Sequence, residues 1–133
     1  MNVIARTAYG KRILASCILL LGLASALPSY AAEETWKQLT DRSIILYEAG
    51  RYGEALRTAR RALSATEVAF GPEHALTAKS LNNLAQILVR TDGHEEAELL
   101  FVRAIGILEE SLGKDHPDIV PVLNNLAGLY LEE

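Results

Sequence analysis

The sequence is poor in the residues that carry most chemistry. It has one cysteine, Cys17, and that residue lies in an apolar N-terminal stretch. A mature chain without this stretch holds no thiol, which suits an oxidising compartment. Four prolines in 133 residues leave room for long uninterrupted helices. Aromatics are only 6% of the chain, while Leu and Ala dominate an apolar half, a balance that favours helices over sheets. Basic residues are also few. Acidic residues number 17, all after residue 32, against ten basic ones there, so that part carries −7. Phosphate binding needs a basic face, so this excludes nucleic acid as a partner and gives little attraction to an anionic membrane. There is no Gly-rich phosphate loop and no strand–turn–helix nucleophile elbow. The sequence therefore points away from an enzyme and implies no cofactor.

What is present begins with an address. Arg6, Lys11 and Arg12 precede an uncharged apolar or small stretch, Ile13 to Leu27, which Pro28 breaks. Ser29-Tyr30-Ala31 then places small residues at both recognition positions of a leader peptidase. This order predicts a signal peptide over 1–31 and an exported, periplasmic or secreted protein. Cleavage is placed after Ala31, with Ala24-Ser25-Ala26 as a second candidate. An uncleaved anchor is the rival, and only that would put the chain on a membrane; the apolar run is short for a span. Leu14-Ala15-Ser16-Cys17 resembles a lipobox, but here the apolar stretch follows the cysteine instead of preceding it.

The remainder, 32–133, repeats. An offset of 42 residues aligns Gly71 with Gly113 and His74 with His116. It also lays Leu81-Asn82-Asn83-Leu84-Ala85 on Leu123-Asn124-Asn125-Leu126-Ala127, identical at every place. Glu54-Ala55 falls on Glu96-Ala97 and Arg61-Ala62 on Arg103-Ala104 without a gap. Within each repeat the apolar spacing is helical: Ala55, Ala59, Ala62 and Thr66, then Ala97, Phe101, Ala104 and Leu108. Small residues at 55, 62, 97 and 104 permit close helix approach. Breaks at Gly50, Gly71-Pro72, Asp92-Gly93 and Gly113-Lys114 divide five helices, near 35–49, 52–70, 74–91, 94–112 and 116–132. Pro117 fits the first turn of the last one, with Asp115 or His116 near its cap.

This pattern resembles tetratricopeptide repeats of the long, 42-residue kind found in kinesin light chain. The residues that carry the likeness are Gly50-Arg51-Tyr52-Gly53-Glu54-Ala55-Leu56, Arg103-Ala104, Leu112-Gly113-Lys114-Asp115-His116-Pro117-Asp118 and the two LNNLA blocks. Asp92 departs from it where a hairpin glycine usually stands. The first repeat is degenerate, with Leu39-Thr40-Asp41-Arg42-Ser43 in place of the block. The resemblance implies an all-α, right-handed superhelical array of antiparallel helix pairs. Two full repeats span about 35–71 and 74–113, and a partial one spans 116–133.

The resemblance further implies a scaffold or adaptor whose concave face, lined by the first helix of each pair, holds another protein or an extended peptide. Asn83 and Asn125 match a position that grips a peptide backbone in such domains. An amide donates and accepts at once, so it reads no side chain. Asn82, Asn124, Lys79, Gln86 and Arg90 are expected on the same face, with Asp41 at the Asn position of the degenerate repeat. Each Asn has an alternative role, bonding a neighbouring helix. His74 and His116 occupy equivalent helix starts, which repetition explains better than a metal. Arg57, Arg60 and Arg61 read as a solvated outer face. The last helix lacks a partner, which suggests a cap, a face for a second copy or another protein, or a segment cut from a longer array. The competing function is a regulatory or sensor segment of a larger repeat-containing enzyme.

Overall fold

The structure, a computed structural model, describes residues 34–132; the expected signal peptide lies outside the described residues. Five helices follow one another: α1 (Trp36–Glu48), α2 (Tyr52–Phe70), α3 (Ala75–Val89), α4 (His94–Leu112) and α5 (Ile119–Glu132). No strand occurs among the described residues, and none of the described helices is long and apolar enough to cross a membrane.

Local chemistry sets the ends. Thr35 caps α1 through a reciprocal box. Its Oγ1 accepts the Gln38 N–H at 3.3 Å, and Gln38 Oε1 accepts the Thr35 N–H at 2.9 Å. α1 closes when the Gly50 N–H donates to Tyr47 O and the Arg51 N–H to Leu46 O, both at 2.9 Å. That pairing needs a left-handed residue, and Gly50 supplies φ +73°. One repeat on, Asp92 takes φ +58° at the corresponding place, and the Gly93 N–H donates to Leu88 O at 2.9 Å. The departure from glycine thus leaves the turn intact. Asp is among the few residues that tolerate this region.

His74 and His116 act alike. Each Nδ1 accepts a backbone N–H two residues on, from Leu76 at 3.1 Å and from Asp118 at 3.2 Å. The last helix nevertheless begins at Ile119, later than the sequence predicts. Pro121 has no N–H to bond Pro117 O, and the Ile119 and Val120 N–H groups make short-range bonds to His116 O and Pro117 O, which leaves 117–118 as a turn.

The helices stack in order, each packing on the next. The small residues of α2 and α4 do what their spacing predicts: Ala55, Ala59, Ala62, Ala97 and Ala104 are all buried. Phe101 is the largest fully buried side chain. It sits between two alanines of its own stripe, a large side chain in a gap left by small ones. On α3 both flanks are covered, so Leu81, Leu84, Ala85 and Leu88 are all buried.

Polar bonds sort the helices into two sides. Asn83 and Asn125 tie α3 to α1 and α5 to α3, joining the first helices to one another. On the other side, Arg60 of α2 grips Glu96 of α4 with bonds of 2.7 and 2.8 Å, and Arg103 of α4 reaches Glu67 of α2 at 2.9 Å. The expected solvated arginines are therefore partly committed. Arg61 also pairs, with Glu34 at 3.2 Å. Trp36 packs edge-on against Phe70 at 5.2 Å between ring centres.

Candidate functional site

A cleft of about 230 Å³ lies on the first-helix side. Its walls come from α1, α3 and α5, with one residue from α4 beneath. Val89, Phe101 and Leu129 give it an apolar floor, and Tyr47 closes one side. Gln86, Arg90, Asn124, Asn125 and Glu132 form a polar rim. The mixture of an apolar base and a few placed polar groups is typical of a binding site.

The register of the repeat explains why a cleft opens here. Gln86 of α3 corresponds to Gly128 of α5, 42 residues on. Where α3 projects a long amide, α5 projects nothing, and a Cβ added at Gly128 would meet no atom within 4 Å. A second column alternates in charge. Glu48, Arg90 and Glu132 fall at the same register on the three first helices. Arg90 is steadied against α2: its Nη2 donates to Tyr52 Oη at 3.4 Å, and its guanidinium lies 5.4 Å from the Tyr52 ring centre. That bond, and the nearby carboxylate of Glu132 least of all, holds its pKa above the usual arginine value. The cleft thus offers a cation and an anion at its rim over an apolar base.

Four residues expected at a ligand face, Gln86, Arg90, Asn124 and Asn125, come together in this cleft. The other four lie elsewhere. Asn83 Nδ2 donates to the buried Ser43 Oγ at 2.8 Å, and Asn82 Oδ1 accepts from Asn125 Nδ2 at 3.0 Å. Lys79 is paired with Asp118 at 2.9 Å, a hydrogen bond that holds the Asp118 carboxyl below the usual range. Asp41 is exposed on α1, outside the cleft. So Asn83 and Asn125 each commit one amide N–H to a neighbouring helix. Asn124 is the exposed amide of the pair at the cleft.

Tyr47, Val89, Phe101, Gly128, Leu129 and Glu132 were not expected in a site. A change along a register column marks two of them: Gly128, against Gln86, and Glu132, against Arg90. Among the described residues, no group of three or more His, Cys, Asp or Glu is placed to hold a metal ion.

A stack of helical hairpins, braced by amides on one side and ion pairs on the other, is a helical-repeat scaffold. A tetratricopeptide repeat model matches residues 38–110, more than half of the chain. The chain belongs to the tetratricopeptide repeat family. Among solved structures, the crystal structure of BtubC (BKLC) from P. vanneervenii matches with a TM-score of 0.65 at 24% identity. The match covers 76% of this chain but 41% of that one, so it bears on the fold alone. No curated protein matches. Domains of this family generally mediate protein–protein interaction.

Proposed function

We propose that the protein is an exported adaptor of the 42-residue tetratricopeptide type, which holds an extended segment of another protein across its first-helix face. The cleft between α3 and α5 carries this reading. It has room for one apolar side chain, and Asn124 and Gln86 stand at its rim to bond the adjoining peptide groups. Arg90 and Glu132 would favour a segment with charges of both signs flanking the buried residue. Export rests on the basic, apolar and small-residue order of residues 1–31.

The test is selection of peptides from a random display library on the purified protein. Selected peptides are expected to share one bulky apolar residue and to lose affinity about tenfold on Asn124→Ala, close to 1.4 kcal/mol. Selected peptides indifferent to Asn124→Ala and Gln86→Ala would remove the cleft from the function. The intact mass of the protein recovered from its host tests export. A mass starting at residue 32 is expected, and one retaining residues 1–31 refutes cleavage there.

A further inference from the structure

The cleft is not the whole of the apolar surface on the first-helix face. Tyr47 of α1 closes one side of it, packed edge-on against Tyr52 at 5.4 Å between ring centres. One turn earlier on the same helix stands Ile44, 40% exposed. Residues three apart are neighbours on a helix surface, so Ile44 continues the apolar wall of the cleft along α1.

A single exposed isoleucine is ordinary, but the place of this one is not. Positions 44, 86 and 128 are 42 residues apart and form one row, Ile44, Gln86 and Gly128, across three neighbouring first helices. Gln86 and Gly128 line the cleft. Gln86 has a first helix on either side and is still partly open. The openness of this row therefore belongs to the face and does not come from a missing neighbour. The adjoining row behaves differently: Ile87 and Leu129 are buried, and only Ile45 is open, at 64%.

Charge and hydrogen bonding narrow the occupant. Glu48, Arg90 and Glu132, one turn on from the row, are exposed and alternate in sign. An amphipathic helix laid here would leave Gln86 and Asn124 unused, because its peptide groups bond one another. An extended segment can bond them both. The cleft lies between α3 and α5, one and a half helix steps from Ile44, or about 12–15 Å at ordinary helix spacing. In an extended chain that distance is about four residues, and residues four apart project from one side. The residue midway projects to the same side, toward α3, where Arg90 stands.

We infer, resting on the peptide-binding reading above, that Ile44 is a second anchor of the same site. The face takes an extended segment of another protein that carries two aliphatic residues four apart and an acidic residue midway. One aliphatic side chain enters the cleft, the other lies on Ile44, and the acid meets Arg90.

The probe is the fluorescein-labelled peptide Lys-Thr-Leu-Thr-Glu-Thr-Leu-Thr-Lys, whose alternate residues carry this pattern and whose basic ends suit Glu48 and Glu132. Fluorescence anisotropy with the full chain is expected to give saturable binding. Ile44→Gln should weaken it about tenfold, the effect of losing one half-buried aliphatic contact. Arg90→Glu should also weaken it, and a peptide with Lys in place of its central Glu should restore binding to that variant. Ile44 and Arg90 are exposed, so circular dichroism should be unchanged in both variants. Setting the two leucines three apart should cost as much as Ile44→Gln. A peptide that does not saturate, or that binds equally to Ile44→Gln or in either spacing, overturns the inference. Gly128→Gln separates it from the reading on which it rests. Binding that Gly128→Gln abolishes and Ile44→Gln leaves intact keeps the cleft and sinks the second anchor, whereas binding indifferent to both variants removes the cleft as well.

Discussion

Replacing Gly128 by Gln should make the protein more stable and worse at binding. Gly128 lies inside α5, where a glycine weakens the helix, and an added Cβ meets nothing within 4 Å. The helix-propensity gain from Gly to Gln is about 0.5 kcal/mol. For a helical unit of this size that raises the melting temperature by about 2–4 °C. The new side chain, however, repeats Gln86 one register on and enters the 230 Å³ cleft above Val89 and Leu129. A peptide side chain can then no longer reach the floor. The loss should be at least tenfold in affinity for a display-selected peptide, about 1.4 kcal/mol. Gly128→Ala is the control: it should stabilise by about 1 kcal/mol yet leave most of the cleft open. Differential scanning calorimetry and fluorescence anisotropy on the three proteins measure both effects. Opposite signs cannot arise from general damage to the fold. A lower melting temperature would show that the position is not open. A Gln variant that binds like the parent would show that ligands do not use this cleft.

Four further substitutions test the fold. Asp92→Gly relieves a left-handed residue and should stabilise by about 0.5–1 kcal/mol in a urea melt; a loss would mean the Asp side chain holds the turn. Phe101→Ala empties the centre of the core and should cost about 3–5 kcal/mol, enough to approach unfolding; a cost below 1 would contradict its burial. Asn83→Ala should cost about 1 kcal/mol, because Ser43 loses one partner but still donates to Thr40 O at 2.7 Å. Arg60→Gln removes a pair whose partners are 50% and 43% exposed, so about 0.5 kcal/mol is expected at pH 7. The hydrogen bond from Arg60 holds the Glu96 carboxyl below its ordinary range, so this contribution is present above about pH 4.3 and fades as pH falls through the lowered value. The gap between urea melts of parent and variant should therefore narrow as pH falls below about 4.3, and a constant gap would contradict the pairing.

The helices were legible because two periodicities agree in the sequence. The 42-residue offset fixes where elements recur, and the three-and-four spacing of Ala, Phe and Leu fixes which face is buried. Asp92 was readable as a turn although it is not glycine, because Gly50 marks the same register. The start of α5 was not, since Pro117 is compatible with a helical first turn and it is the missing N–H of Pro121, four residues on, that delays the helix. The cleft was half legible. Gln86, Arg90, Asn124 and Asn125 sit on the expected helices. Phe101 reads as core, which it is, and nothing in its own stripe says that a cleft lies above it. Gly128 reads as a weak point of a helix until it is set against Gln86.

The two asparagines show why identity within a repeat is a poor guide to a site. Asn83 and Asn125 occupy one column, yet their partners differ. Asn83 bonds Ser43, but the counterpart of Ser43 is Ala85, which has no hydroxyl, so Asn125 turns to Asn82 instead. A side chain kept from repeat to repeat can serve the contact between helices, which recurs at every step of the stack. A ligand site lies at one step only, and part of its lining breaks the column: Gln86 gives way to Gly128, and Arg90 to Glu132, while Asn124 repeats Asn82. In a repeat scaffold the constant positions hold the stack together, and binding specificity is written where the register changes.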